Sequence, residues 1–333
     1  MPGAVIRPAD FGRDNAALCA LARRCPQGGA LSFYHERADF RERGRLQPHV
    51  ETLVTEEAGT IMGCGSVARK PLWLGGSPYP TAYVFDLMVD PARRGRGIAR
   101  DLLRGLVDAC PGASLVYAHI LDDNRASRRL FERQGFRAHR RRLKFHAILP
   151  SREGRASRAV VGPVLIDAAE AADIDGRLRK RYVLADETAG HDGLFRLETP
   201  DGRAWAALRR HGAKVAVSVP WPPRALGRLM PLFPRPGRPV VTWSLHHIGA
   251  EGRRPGAALD RLLRGAAGAA RREGIDLLLV PLFDDDPLNV SLRRYLLPRW
   301  GLGAGATRLY VRGRAADAVL RSARPLLLSG RDG

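Results

Sequence analysis

The densest chemistry in the sequence lies where Val89-Asp90-Pro91 is followed by Arg94-Gly95-Arg96-Gly97-Ile98-Ala99. A glycine-rich turn that opens a helix lets the backbone approach a ligand closely. The free amides at the helix N-terminus, at the positive end of its dipole, suit a pyrophosphate. Arg94 and Arg96 add charge to the same loop. One strand further on lies a second polar segment with Asn124, Ser127, Leu130, Phe131, Gly135 and Phe136. For proton transfer the candidates nearby are Asp86, the one carboxylate in the strand Tyr83 to Val89, and His119, on the strand before Asn124. Tyr34 and Glu36, in the segment Phe33 to Glu36, are weaker candidates, read as part of a first helical region.

These residues need elements to hold them. Tyr83 to Val89 reads as a buried strand and Asp90 to Arg96 as a turn. A helix follows, with Ile98, Leu102, Leu103, Leu106 and Val107 on one stripe, ending at Pro111-Gly112. A strand at Leu115 to Leu121, a helix from Asn124 to Gln134 and a strand from Phe136 to Leu149 come next. The second half repeats the series: strand Val240 to Ile248, helix Ala257 to Arg272, strand Leu277 to Phe283, short helix Asn289 to Leu297, strand Ala306 to Val311. Leu102-Leu103-Arg104-Gly105 recurs as Leu262-Leu263-Arg264-Gly265. A period that long implies two copies of a domain, not a solenoid. The polar stretch at 150–158 reads as the linker, dividing the chain into 1–149 and 159–333.

The second copy keeps only an echo of the loop, Arg253-Arg254-Pro255-Gly256-Ala257-Ala258, in which Pro255 removes a backbone donor. Asn289 matches Asn124, but Leu292 stands where Ser127 does. This copy is expected to keep the fold and to have lost ordinary ligand binding at the loop. His246-His247 and the acidic turn Asp284-Asp285-Asp286 are candidates for an acceptor site there. No third ligand stands at a spacing that would make the His pair a metal site.

The 333 residues carry a formal charge of +21, and the excess is spread over both halves. With 45% hydrophobic residues the chain is globular, not a disordered basic tail. Lysine occurs only at positions 70, 144, 180 and 214, so the charge is almost all arginine. The excess fits either compositional drift or an anionic partner. Cys19, Cys25, Cys64 and Cys110 lack metal-ligand spacing and fit reduced thiols in a cytoplasm. Neither a signal pattern nor a bilayer-length apolar run is present, so a cytoplasmic protein without membrane contact is expected.

The two polar segments together resemble the signatures of the GNAT superfamily of acyl-CoA-dependent N-acetyltransferases. Val89, Pro91, Arg94, Gly97 and Ala99 meet its Val-x-Pro-x-x-Arg/Gln-x-x-Gly-x-Gly/Ala pattern. Asn124, Ser127, Leu130, Phe131, Gly135 and Phe136 meet its Asn-x-x-Ala/Ser-x-x-Leu-Tyr/Phe-x-x-x-Gly-Phe helix. The resemblance implies an α/β (α+β) fold of two tandem GNAT-like domains, each a mixed central sheet flanked by helices. The layout is similar to that of mycothiol synthases, in which one copy is catalytic. It implies acetyl-CoA or another acyl-CoA as donor and no metal. Arg94, Gly95, Arg96, Gly97, Ile98 and Ala99 would bind the pyrophosphate. The strand Asp86 to Val89 would pair with the pantetheine arm, and the amide near Met88 or Val89 would polarise the thioester carbonyl. Asn124, with Ser127 beside it, would hold the cofactor arm. Phe131 stands where many members carry a proton-donating Tyr, so the leaving thiolate would take its proton from solvent. The implied acceptor is an amine on a small molecule. The charge keeps a second reading open: paired GNAT-like domains also occur in aminoacyltransferases that use aminoacyl-tRNA, with Arg140, Arg142 and Lys144, on a strand read as an edge, as a track for tRNA. A non-catalytic binding module is the third.

Overall fold

The computed structural model describes residues 3–28, 32–74, 76–150, 160–182, 184–185, 191–218, 236–292, 306–322 and 326. The first half runs β1 (Ala4–Pro8), α1 (Phe11–Arg24), β2 (Gln27–Gly28), β3 (Ser32–His35), β4 (Val50–Glu57), β5 (Thr60–Leu74), β6 (Ser77–Val89), α2 (Ile98–Asp108), β7 (Leu115–Leu121), α3 (Arg125–Arg133) and β8 (Arg137–Ile148). The second half begins β9 (Val160–Val164), α4 (Ala168–Arg181), β10 (Leu184–Ala185), β11 (Gly193–Thr199), β12 (Gly202–Arg210) and β13 (Lys214–Ser218). It continues β14 (Pro239–Val240), β15 (Thr242–Gly252), α5 (Pro255–Arg272), β16 (Leu277–Phe283), α6 (Leu288–Leu292), β17 (Thr307–Arg312) and α7 (Ala316–Arg321). The stretch 151–159, with nearly all of the expected linker, lies outside the described residues, as do the last positions of the helix expected at 289–297.

Both halves belong to one 13-stranded sheet in the order β1-β4-β5-β6-β7-β17-β8-β16-β15-β12-β11-β9, with β10 joined to the end of β5. Read outward from the central β17–β8 pair, the order is the same in both directions. The pairings β6–β7 and β15–β16 are parallel and all the others are antiparallel. The last strands are exchanged: β17, from the second half, lies against β7, and β8, from the first, lies against β16. The repeat is visible at single-residue level. Thr81, Ala82 and Tyr83 pair with Leu115, Val116 and Tyr117, as Thr242, Trp243 and Ser244 pair with Leu277, Leu278 and Leu279. Each parallel pair stops there and the strands part.

Helices cover both faces. The stripe Ile98, Leu102, Leu103 and Leu106 of α2 is buried with Val84, Val116 and Phe131, and the matching stripe of α5 is buried over β11, β12, β15 and β16. Each such side chain contributes roughly 1.5–3 kcal/mol by leaving water. α1 packs on the opposite face of β4 to β6 through Leu18, Leu21 and Ala22. Among the described residues, no helix is long and apolar enough to cross a membrane.

Two expectations are corrected. Ser32–His35 is a strand, not part of a helix, because α1 ends at Arg24 and Lys214–Ser218 of the second half supplies an antiparallel partner. The strand carrying Arg140, Arg142 and Lys144 is central, paired on both sides by β17 and β16, and is not an edge. Arg142, itself exposed, is bound to Asp122 at 3.1 Å.

Candidate active site

The strand that leads into the glycine loop is β6. Its ladder with β5 shifts register between Cys64↔Met88 and Ser66↔Phe85, so Asp86 and Leu87 bulge opposite Gly65, with Asp86 at φ 50°. Beyond Tyr83, β7 no longer pairs with β6, so the backbone from Val84 to Val89 is unladdered on that side. Such groups need an acceptor or donor from elsewhere. Just beyond the bulge, Gly63 opposite Val89 keeps space for the strand. A Cβ on Gly63 would lie 2.9 Å from the Met88 carbonyl oxygen and 3.0 Å from Ile98 Cγ2.

The loop continues from the end of this strand. Asp90 accepts a hydrogen bond from the Ala92 amide at 3.0 Å and an ion pair from Arg24 at 2.9 Å, fixing the turn. Gly95 and Gly97 take φ 79° and 84°, the left-handed region that penalises a Cβ. Gly97 is the N-cap of α2 and offers no side chain, so the first-turn amides from Ile98 through Ala99 stay uncapped by the protein. Arg94, Gly95 and Arg96 are exposed around them, while Ile98 is buried and anchors the turn. Across the cleft Asn124 caps α3, its Oδ1 accepting from the Ser127 amide at 3.1 Å. Only its NH₂ group is left for a ligand. Phe131 is buried with its ring 4.9 Å from that of Phe136 and 6.4 Å from that of Tyr310 on the exchanged strand.

The profile of the Acetyltransferase (GNAT) family matches residues 15–136. Over 133 residues the chain is 34% identical to the N-alpha-acetyltransferase RimI of Mycobacterium tuberculosis, covering 39% of this chain and 80% of that one. Over 107 residues it is 30% identical to the glucosamine 6-phosphate N-acetyltransferase of Trypanosoma brucei brucei, covering 32% of this chain and 70% of the other. The chain belongs to the GNAT acetyltransferase family. It is thus a transferase whose family uses acyl-CoA as donor. The fold is shared more widely: Saccharomyces cerevisiae N-myristoyltransferase, solved with bound myristoyl-CoA and inhibitors, superposes with a TM-score of 0.61 at 11% identity, over 100% of this chain and 84% of that one.

The GNAT site differs from the sequence expectation at its ionisable groups. Asp86 does not face the cleft as a free carboxylate. It is buried between Arg37 at 2.7 Å and Arg43 at 2.9 Å. Burial alone would raise its pKa, but the two guanidiniums outweigh that and hold it at about 2. A carboxylate so stabilised is a poor proton acceptor for an ammonium ion, which argues against the expected base role. His119 is different. Neither ring nitrogen is solvent-accessible or has a hydrogen-bond partner among the described residues, and its ring lies edge-on to Tyr83 and Tyr117 at 6.4 Å from each. Burial, with the charges of Lys70 and Arg43, lowers its pKa to about 3, so it is neutral at pH 7. Arg37, Arg43 and Lys70 carried no periodicity or motif that marks them in the sequence. Their roles depend on which strand they meet.

The second half keeps the bulge and closes the loop. His247, at φ 50°, takes the position of Asp86. The Trp205 ring sits where a Cβ on Gly249 would be. The turn before α5 is pressed on the β11–β12 hairpin: Gly252 packs against Gly202, and the Arg254 amide donates to the Asp201 carbonyl at 3.1 Å. Pro255 has no N–H to offer. The acidic turn is spent on structure as well. Asp285 pairs with Arg141 at 2.7 Å, and Asp286 accepts from Tyr182 and from the Leu288 amide, both at 2.9 Å. His191 lies 4.8 Å from His247 and 5.7 Å from His246, ring to ring. Among the described residues no group of three or more His, Cys, Asp or Glu side chains could hold a metal ion.

Proposed function

We propose that this enzyme transfers an acetyl or other short acyl group from acyl-CoA to an amine of a small molecule, in the first half only. The observation that carries this reading is the uncapped start of α2 standing beside the unladdered end of β6. Arg94, Gly95, Arg96, Gly97, Ile98 and Ala99 hold the pyrophosphate through backbone amides and guanidinium charge. The Met88 and Val89 backbone holds the acyl arm and its carbonyl, and Asn124, through its NH₂, with Ser127 steadies the pantetheine. The deprotonated amine attacks the thioester carbonyl, the new C–N bond replaces the C–S bond, and CoA leaves as a thiolate that solvent protonates. His119, held neutral by burial with a pKa of about 3, is as poor a proton acceptor as Asp86, so the incoming ammonium gives its proton to solvent before attack. Asp86 is a positioning residue that fixes the bulge through Arg37 and Arg43. Residues 159–333 are a degenerate copy of 1–149 that supplies structure, not a second donor site.

Acetyl-CoA at a hundredfold excess over its Kd stabilises by roughly 2.7 kcal/mol, which raises Tm by about 4 °C in a protein of this size. Gly97→Trp abolishes that shift. Calorimetric titration gives one CoA per chain. No shift in the parent protein sinks the proposal, and two equivalents bound would refute the assignment of the second half.

A further inference from the structure

Beside the gap that opens between β6 and β7, two polar side chains from different halves of the chain lie on one face of the sheet. The β6–β7 ladder ends at Tyr83↔Tyr117, and His119 is the next residue of β7 on the Tyr117 face. Tyr117, Leu309 and Val311 pack in one core, so Thr307, two residues before Leu309 on the exchanged strand β17, faces the same way. The register sets Leu309 opposite His119 and Thr307 opposite Leu121. Thr307 and His119 are therefore diagonal neighbours, with Cα atoms about 7–8 Å apart, close enough for both side chains to reach one small group. Both ring nitrogens of His119 and the hydroxyl of Thr307 are shut off from solvent and have no hydrogen-bond partner among the described residues. Leaving buried polar groups unmet is costly, so an arrangement of this kind needs a reason.

The internal repeat shows that the reason is not the fold. Tyr83↔Tyr117 corresponds to Ser244↔Leu279, which makes Pro281 of β16 the counterpart of His119. Opposite Pro281 stands Phe145, as Leu309 stands opposite His119, and the counterpart of Thr307 is Leu143. The half whose loop is closed thus builds the same place from a proline and a leucine. The polar pair accompanies the open glycine loop, and it borders the gap in which the Met88 and Val89 backbone is proposed to hold the acyl carbonyl. Its chemistry selects a ligand group. His119 is neutral at pH 7, and Lys70, with its Nζ 5.8 Å over the neighbouring Tyr83 ring, opposes a second positive charge there. A neutral imidazole offers one N–H and one lone pair, and a threonine hydroxyl donates and accepts. A carboxylate or phosphate would only accept and an ammonium would only donate, whereas the single oxygen of a hydroxyl does both. We infer that the acceptor is an amino alcohol, its hydroxyl held between His119 of the first half and Thr307 of the second. This rests on the acyltransferase reading above and narrows its substrate class.

The test follows CoA release from acetyl-CoA by the full chain with matched amines, ethanolamine against propylamine and propanolamine against butylamine. The hydroxyl-bearing member of each pair is expected to have a kcat/KM about tenfold higher. His119→Phe and Thr307→Val lower kcat/KM for the amino alcohols about tenfold and leave the alkylamines unchanged, whereas Thr307→Ser keeps the preference. A purely structural role would lower both members of a pair alike. The CoA-induced Tm shift reads the donor site and the fold of each variant separately. Its absence in the parent sinks the acyltransferase reading and this inference with it. A parent that keeps the shift but acetylates both members of a pair equally, or neither, overturns the hydroxyl assignment alone. A preference that survives in both His119→Phe and Thr307→Val overturns it as well.

Discussion

At the scale of single residues, the buried Arg37–Asp86–Arg43 triad matters most. Removing one partner of a buried pair leaves a charge uncompensated, so Arg37→Ala is expected to cost about 3–5 kcal/mol in denaturant unfolding. The sign with pH is fixed by the shifts. Asp86 sits at about 2 when folded, below its unfolded value, so its contribution is present above pH ~4 and fades as pH falls toward 2. His119 and His139 sit at about 3 and 4, with burial the leading cause in each. The unfolded chain therefore takes up those protons first, and stability is expected to fall as pH drops below ~6.5. Urea midpoints between pH 8 and 4 check this. His119→Phe should flatten the upper part of the decline, while a decline of unchanged size would refute the assignment.

Elements decide whether the donor strand keeps its shape. The bulge in β6 lies opposite Gly65, and just beyond it Gly63 lets the Met88 carbonyl and Ile98 close in on β5. Gly63→Ala introduces contacts at 2.9 and 3.0 Å, which overpacking data price at about 1–3 kcal/mol. Since the displaced atom is backbone of the strand proposed to hold the acyl arm, acetyl-CoA affinity should fall alongside Tm. A variant with unchanged affinity and rate would show that the bulge does not position the donor. Asn124→Ala tests the other wall of the cleft: loss of its cap on α3 should cost about 1 kcal/mol of stability.

Across the whole molecule, the strand exchange makes the two halves interdependent. Residues 1–150 alone would leave β7 without β17 and β8 without β16, two exposed ladders in the middle of a sheet. Expressed alone, this half is expected to aggregate or to pair with a second copy of itself. Co-expressed with 151–333 as a separate chain, it should form a one-to-one complex, which size-exclusion chromatography reads directly. A monomeric, cooperatively unfolding 1–150 fragment would contradict this.

Much of the architecture was legible because it is local. The stripe Ile98, Leu102, Leu103 and Leu106, the apolar runs Leu115 to Leu121 and Leu277 to Phe283, and Asn124 ahead of α3 mark their elements through periodicity and capping chemistry. The glycine pattern from Gly95 to Gly97 likewise fixes a turn and a bare helix start, since positive φ is a backbone property of the residues themselves. Neighbours distant in sequence were not legible. Asp86 reads as a free carboxylate until Arg37 and Arg43 fold over it, and Phe33 to His35 reads as helix until β13 offers its edge. By itself the sequence determined the glycine loop, the recurring order of elements and the family resemblance, all carried by short-range spacing. Only the tertiary structure decided which charges are spent on each other, and which strand completes which half, because burial and strand pairing depend on what the rest of the chain places alongside.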